Sequence, residues 1–213
     1  MEVSVLADEA LTKELMEKEL PAEVNINFVN TLEELVLQNA EVYMDLLFKK
    51  KKERIKHLAN LLPKPVFINA VTYTLKELGQ PFIRINAWPG FLSRKIIEIA
   101  VASEAERELA GSVLSILRWP FQAVPDEPGM IAGRVIAMIV NEAYYVLGDN
   151  VSTKEAIDIA MRLGTNYPYG PFEWSEHIGL QNIYELLLQL SKTDDRYLVA
   201  RTMIDEINTK NIH

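Results

Sequence analysis

The feature of this sequence that most constrains its fold is a change of pattern near residue 125. Before that point, short apolar runs rich in β-branched residues alternate with stretches whose apolar residues recur at helical spacing. After it, every segment has helical periodicity. The alternation predicts a mostly parallel, doubly wound α/β sheet in residues 1–124. Residues 125–213 are predicted to form a separate all-α domain.

Individual elements follow from the same patterns. In the second domain, Ser152 with Glu155 predicts a capping box at a helix start, and Gly164 is predicted to cap that helix at its end. The turn at Trp88-Pro89-Gly90 predicts that the two strands on either side of it pair with each other. The predicted extended segments are 1–7, 25–29, 41–48, 65–71, 82–87, 96–102 and 121–124. The predicted helices include 31–38, 49–62, 103–119, 130–147, 153–163, 172–177, 180–190 and 195–208.

Composition excludes several functional classes. The chain has 213 residues, a formal net charge of −8 and no cysteine. The acidic balance argues against a nucleic-acid partner, and the missing cysteines exclude a disulfide framework, a thiol nucleophile and a cysteine-ligated zinc site. Three scattered histidines, His57, His177 and His213, provide little for a metal site. We expect no signal peptide, no membrane helix or membrane partner, and a cytoplasmic location.

Charge is distributed unevenly along the chain. Residues 1–45 contain 2 basic and 11 acidic side chains, residues 46–120 contain 13 and 6, and residues 121–213 contain 7 and 13. The most acidic part therefore coincides with the first strand and the helix after it, where a nucleotide diphosphate would bind in a doubly wound domain.

The C-terminal half carries a specific resemblance. The segments Asn141–Leu147, Val151–Trp174 and Ile178–Leu180 closely resemble the C-terminal domain of the L-3-hydroxyacyl-CoA dehydrogenases, and Asp126–Arg134 is similar to the entry into that domain. Residues 82–100 are similar to the paired strands around that family's catalytic histidine. The resemblance implies an α/β Rossmann-like N-terminal domain for NAD, followed by an all-α C-terminal dimerisation domain, with acyl-CoA as the substrate.

The nucleotide-binding part of that resemblance is incomplete. The family's glycine-rich loop should follow the first strand, because its glycines let the backbone approach the diphosphate. Residues 6–12 read Leu-Ala-Asp-Glu-Ala-Leu-Thr and contain no glycine. Asp8 and Glu9 would repel a phosphate, and Asn30 stands where NAD-binding members present an acid to the ribose. We therefore expect no NAD cofactor and no cofactor-binding or metal-binding residues.

Four positions match the family's functional residues. Asn86 replaces the catalytic histidine, and an amide cannot act as a general base. Glu98 matches the glutamate that orients the histidine, although a solvated carboxylate at a strand end is an equal alternative. Thr72 is the best match to the substrate-positioning serine. Gly133 replaces the substrate-binding asparagine, and a small residue there could instead allow close helix packing.

Three functional hypotheses remain. The first is a 3-hydroxyacyl-CoA dehydrogenase-like protein without NAD-dependent catalysis, a pseudoenzyme that keeps a homodimeric scaffold and binds an acyl-CoA-like or other small ligand. The second is an active 3-hydroxyacyl-CoA (3-hydroxybutyryl-CoA) dehydrogenase of fatty-acid metabolism with an unusual NAD(P) mode. The third is a purely structural interaction module.

Overall fold

The structure is a computed structural model that describes residues 1–210. By their contacts the described residues divide into two compact units, of which the first ends at Met130 and the second begins at Ile131. The sequence placed a boundary six residues earlier, at 124. The intervening segment is joined to the first unit by Gly129, whose N–H donates to Val71 O at 2.8 Å, and by an ion pair between Asp126 and Arg84.

The first unit is built on one seven-stranded sheet with the order β2-β1-β3-β4-β5-β6-β7. Its first five strands run parallel, β6 runs antiparallel to β5, and β7 runs parallel to β6. This arrangement confirms the predicted α/β fold and the predicted pairing around Trp88-Pro89-Gly90. The strands are β1 (Glu2–Leu6), β2 (Asn25–Val29), β3 (Val42–Asp45), β4 (Val66–Ile68), β5 (Ile83–Ile85), β6 (Ile97–Ala100) and β7 (Phe121–Ala123).

Helices cover both faces of this sheet. Two of them pack with Val3, Val5 and Phe67 on one face, and three pack with Leu6, Tyr43 and Ile68 on the other. Alternate residues of a strand point to opposite faces, which is why β1 contributes to both cores. The first face is covered by α1 (Glu9–Met16) and α5 (Glu104–Ile116), and the second by α2 (Leu32–Leu37), α3 (Lys52–Ala59) and α4 (Leu75–Leu78).

The sheet is one strand shorter at its β2 end than the standard doubly wound sheet. In the standard order, 3-2-1-4-5-6, a third strand lies outside the second. Here β1 lies between β2 and β3, and among residues 1–210 no strand lies beyond β2. The short α2 connects β2 directly to β3. β2 is therefore an edge strand.

In the second unit, every regular element of the described residues is a helix or a 3-10 turn. Its longest helix, α6, contacts α8, α9 and α10, and Ala137 and Val140 of α6 are fully buried. Among residues 1–210 no helix is both long and apolar enough to cross a membrane. The helices are α6 (Ala132–Gly148), α7 (Lys154–Thr165), α8 (Pro171–Ile178), α9 (Leu180–Ser191) and α10 (Arg201–Lys210), with a 3-10 turn at Asp195–Tyr197.

Several predicted helix ends are wrong. The residue that caps α7 is Thr153 and not Ser152, since the Thr153 side chain accepts a hydrogen bond from Ala156 N–H. The same helix continues through Gly164 and ends at Thr165, and its C-cap is Asn166, which has the left-handed φ of 55°. An asparagine tolerates this conformation better than most residues with a Cβ. The lysine-rich helix begins only at Lys52.

Candidate functional site

Asn86 and Glu98 meet where β5 and β6 pair. The register places Ile85 opposite Ile99, so Asn86 is opposite Glu98. The Asn86 N–H donates to Glu98 O at 3.0 Å, and the Asn86 side-chain Nδ2 donates to Glu98 Oε2 at 3.2 Å. Asn86 is buried, with 2% of its surface exposed. The structure thus brings together two of the four residues that the sequence singled out.

The loop between these strands is fixed by a carboxylate from α1. Glu14 Oε1 accepts a hydrogen bond from Gly90 N–H at 2.6 Å, and Glu14 Oε2 accepts one from Ser93 N–H at 3.4 Å. Gly90 has a φ of 85°, a left-handed conformation that favours glycine. Because α1 packs on the same sheet, these contacts set the position of the loop after Asn86.

A cleft of about 250 Å³ opens beside the Asn86–Glu98 pair. The Arg94 guanidinium lies 4.0 Å from the centre of the Phe91 ring, which forms one wall. The cleft offers amide, carboxylate and guanidinium groups next to apolar surface, so it suits a small polar group on an apolar chain. At neutral pH the Asn86 amide can donate and accept hydrogen bonds but cannot take up a proton. The residues that line the cleft are Asn86, Phe91, Arg94, Ile96, Glu98 and Gln122.

The other two predicted site residues lie elsewhere. Thr72 follows β4 and has 7% of its surface exposed, but it does not line this cleft. Gly133 lies in the first turn of α6, in the second unit, and is buried. A buried glycine followed by the fully buried Ala137 four residues later fits close packing against the neighbouring helices.

Sequence reasoning missed a buried arginine next to this site. The Arg84 side chain on β5 is fully buried; it donates to the carbonyls of Ala70 and Val71, each at 2.9 Å. Its Nη1 also donates to Asp126 Oδ1 at 2.6 Å. Burial lowers the pKa of Arg84, and Asp126 opposes this effect. The signal in the sequence was a charged residue between two isoleucines in an otherwise apolar strand.

Asp126 also caps α4. Its carboxylate accepts from the N–H groups of Leu75, at 2.8 Å, and Lys76, at 3.4 Å. The α4 helix was not predicted, because a helix of only four residues is too short to show a helical pattern of apolar residues. Together, Arg84 and Asp126 connect the segment after β4 to the turn before the second unit.

The N-terminus of α1 is occupied by a side chain of this protein. Asp8 is the N-cap residue, and its Oδ1 accepts a hydrogen bond from Leu11 N–H at 2.9 Å. Glu9 adds a second acid in the first turn. A helix N-terminus attracts anions through its free N–H groups and its dipole, and Asp8 satisfies part of that demand internally. A diphosphate at this end of β1 would meet two carboxylates.

A second pocket, of about 370 Å³, lies at the carboxyl ends of β1, β2 and β3. Asn30 lines it, and its N–H donates to Glu34 Oε2 at 2.8 Å. Arg54, which also lines the pocket, forms a two-point pair with the fully buried Asp45, at 2.7 and 2.5 Å. Burial raises the pKa of Asp45, and the Arg54 hydrogen bonds oppose the rise. No cluster of three metal-binding side chains occurs in residues 1–210.

Comparison with known proteins points to one family. Residues 129–210 match the family model of the 3-hydroxyacyl-CoA dehydrogenase C-terminal domain. The chain is 37% identical over 126 residues to the 3-hydroxyadipyl-CoA dehydrogenase of Escherichia coli, which is 57% of this chain and 26% of that protein. It is 26% identical over 197 residues to the probable 3-hydroxybutyryl-CoA dehydrogenase of Bacillus subtilis, 85% of this chain and 68% of that protein.

A solved structure supports the same fold. The crystal structure of (S)-3-hydroxybutyryl-CoA dehydrogenase from Ralstonia eutropha matches with a TM-score of 0.70 and 20% identity, over 87% of this chain and 70% of that one. The chain therefore spans between about a quarter and 70% of the length of these three proteins.

Proposed function

Because the chain belongs to the 3-hydroxyacyl-CoA dehydrogenase family, we propose that it uses the family's scaffold to bind an acyl-CoA-like or other small ligand without NAD-dependent catalysis. The observation that carries this proposal is Asp8. Its carboxylate accepts from an N–H at the N-terminus of α1, where the fold would place the diphosphate of NAD. The two acidic residues at this helix N-terminus, Asp8 and Glu9, do not fit the diphosphate of NAD.

The geometry of Asn86 supports the same conclusion. Oxidation of a 3-hydroxyl group needs a base that removes the hydroxyl proton, and Asn86 cannot be that base. Its amide, oriented by Glu98 at 3.2 Å, can still donate to or accept from a carbonyl or hydroxyl group. The cleft of about 250 Å³ has room for the head of an acyl group, but not for a whole coenzyme A.

Calorimetric titration separates cofactor binding from ligand binding. The full chain is titrated with NAD, with NADH and with acetoacetyl-CoA as the acyl-CoA probe. We expect heat of binding for acetoacetyl-CoA and none for either dinucleotide up to millimolar concentration. Micromolar binding of NAD would refute the loss of the cofactor site. If acetoacetyl-CoA also fails to bind, the structural-module hypothesis takes its place.

The double variant Asp8→Gly, Glu9→Gly tests the stated cause. Removing both carboxylates should create measurable NAD affinity if they are what excludes the diphosphate. Glu104→Gln, which removes an exposed acid from the first turn of α5, is the matched control and should leave NAD binding undetectable.

The active-enzyme alternative makes a different prediction. Glu98 lies in the cleft and could act as a base in place of the histidine. In that case, 3-hydroxybutyryl-CoA with NAD or NADP should yield reduced cofactor, and Glu98→Gln should abolish the signal. An absence of turnover above the rate without protein would eliminate this alternative.

The second unit is proposed to form a homodimer. Several of its large apolar side chains are exposed, among them Val135 at 50%, Ile159 at 50% and Leu163 at 81%. Exposed apolar surface of this kind is typical of subunit interfaces. We expect sedimentation velocity to show a dimer, and the double variant Ile159→Glu, Leu163→Glu to sediment as a monomer with an unchanged circular dichroism spectrum.

A further inference from the structure

β2 is an edge strand whose outer hydrogen-bonding groups can be identified. The Asn25 N–H donates to Met1 O at 3.0 Å, and β2 pairs in parallel with β1. Because backbone groups alternate in direction along a strand, the N–H and C=O groups of Ile26 and Phe28 point away from β1. Among residues 1–210 no strand pairs with that side.

This edge lacks the features that normally prevent further pairing. Natural edge strands are often short, or carry charged residues or proline. The opposite edge, β7, has three residues and lies between Pro120 and Pro125. By contrast, β2 has five residues, Asn-Ile-Asn-Phe-Val, without charge or proline. The Ile26 and Phe28 side chains are only half-buried and present apolar surface beside the open backbone groups.

The charge around the edge indicates what could pair with it. Residues 1–45 contain 11 acidic and 2 basic side chains, and Glu23 and Glu33, on either side of β2, are exposed. Of the two basic residues, Lys18 is directed elsewhere, since its Nζ donates to Arg94 O at 3.1 Å and lies 5.4 Å from the centre of the Trp119 ring. A second copy of this chain would bring an equally acidic region against the first, so like charges oppose self-pairing.

We propose that β2 is a docking edge for an extended, basic segment of a partner protein, which adds a strand where the standard fold has its third. Main-chain hydrogen bonds to Ile26 and Phe28 supply the pairing, and the exposed carboxylates of Glu23 and Glu33, one on either side of β2, select lysine or arginine side chains. This surface does not involve the Asn86 cleft, so it stands independently of the proposed ligand.

A synthetic peptide tests this edge directly. The probe is fluorescein-labelled Lys-Val-Lys-Val-Lys-Val-Lys, and its binding to the full chain is followed by fluorescence anisotropy. We expect saturable binding that weakens steeply as salt is raised, because the charge contribution is screened. The acidic counterpart Glu-Val-Glu-Val-Glu-Val-Glu should not bind. If the basic peptide fails to bind, or the acidic peptide binds equally well, the proposal is wrong.

The Ile26→Pro variant distinguishes strand pairing from simple charge attraction. Proline at position 26 removes an N–H that points away from β1, so the β1–β2 hydrogen bonds remain. We expect the peptide to bind about tenfold more weakly, since one main-chain donor is lost and the ring obstructs the approaching strand. Ile26→Val is the matched control and should bind as the wild type does. Thermal unfolding of both variants verifies that they are folded.

Two further measurements complete the test. The double variant Glu23→Lys, Glu33→Lys keeps the edge but reverses the charge of the two exposed residues that flank it, and should weaken binding of the basic peptide. Equal affinity of Ile26→Pro and wild type would show that only charge attracts the peptide and would overturn the proposal. A dimer in sedimentation that Ile26→Pro dissociates would instead identify a second copy as the occupant, which also overturns it.

Discussion

The side chains of Asn86 and Glu98 are joined by a hydrogen bond of 3.2 Å, in the arrangement by which the family resemblance pairs a catalytic base with the glutamate that orients it. Glu98 here accepts a hydrogen bond from an amide, which cannot take up a proton. What remains is a polar pair with fixed geometry at one end of a small cleft.

The first prediction concerns this pair. Asn86→Leu removes the amide from the cleft at similar side-chain volume, and we expect acetoacetyl-CoA to bind about tenfold more weakly, the equivalent of one or two hydrogen bonds. Asn86→His keeps a donor at the same place and should bind more tightly than Asn86→Leu. Titration calorimetry measures both. Unchanged affinity in Asn86→Leu would place the ligand elsewhere.

The second prediction concerns Gly170, which lies in contact with α7. A Cβ at this position would be 2.5 Å from the Cα and Cβ of Asp158, so backbone would have to move. We expect Gly170→Ala to lower the free energy of unfolding by about 2 to 4 kcal/mol, as overpacking at a backbone contact does. Urea unfolding followed by circular dichroism measures this loss.

Gly164→Ala is its matched control. Gly164 is inside α7, and apart from its chain neighbours and the nearby backbone of that helix no atom of residues 1–210 lies within 4 Å of a Cβ built on it. Alanine is the better helix former, so this variant should be more stable than wild type by about 0.5 to 1 kcal/mol. Equal destabilisation by both changes would show that the contact with Asp158 is unimportant.

The third prediction concerns the buried ion pair between Arg84 and Asp126. Arg84→Met removes the buried cation that faces Asp126 and the donor to the carbonyls of Ala70, Val71 and Glu127. It should lower the free energy of unfolding by about 3 to 5 kcal/mol. The comparison is Arg107→Met, which breaks an exposed pair with Glu104 at 3.4 Å; there we expect less than about 0.5 kcal/mol. Similar losses in the two variants would contradict the importance of burial.

The fourth prediction concerns pH and Glu206. Burial would raise the pKa of Glu206, but hydrogen bonds from Lys154, Lys210 and Tyr144 outweigh it and lower the pKa. The Lys154 Nζ lies 2.6 Å from Glu206 Oε2, and the Tyr144 hydroxyl 2.9 Å. Burial, together with the same carboxylate, raises the pKa of Tyr144 beyond its ordinary range.

The sign of the effect follows from this lowered pKa. The pKa of a glutamate in an unfolded chain is about 4.3. A glutamate whose pKa is lower than this in the folded protein stabilises the fold at pH values above about 4.3, and this stabilisation is lost as the pH falls through the lower, folded-state pKa. The wild type should therefore exceed Glu206→Gln in thermal stability at pH 6 to 7, and the difference should shrink towards pH 3. A difference that is constant over this range would refute an electrostatic contribution.

The sequence predicted the fold well because the two domains have different periodicities. Strands such as 25–29 are bounded by turn residues and rich in β-branched or aromatic side chains, so their pattern is visible locally. Helix ends were less predictable, because neighbouring residues compete for the same role. Ser152 and Thr153 are both good N-caps, and only the direction of the entering chain decides between them. The α4 helix was missed for a different reason, because four residues are too few to show helical periodicity.

The candidate site was partly predictable. Asn86 and Glu98 could be placed opposite each other, because a hairpin of known turn position fixes which residues pair. Arg84, Asp126 and Asp158 could not be assigned from the sequence. Arg84 and Asp126 are 42 residues apart, and Asp158 accepts a hydrogen bond from the N–H of Phe172, 14 residues away. Such long-range hydrogen bonds depend on tertiary packing and leave no periodic signal. The NAD, homodimer and ligand assignments stay predictions, as does the cytoplasmic location.

The position of Asp8 has a consequence for evolution as well as for binding. Because the Asp8 carboxylate is attached to the chain, its effective concentration at the N-terminus of α1 is in the millimolar range or above. This concentration does not depend on the phosphate concentration in the cell. Any free phosphate must compete with this permanent occupant. A single codon change at position 8 would remove this occupant, but the Glu9 carboxylate in the first turn would still oppose an external anion.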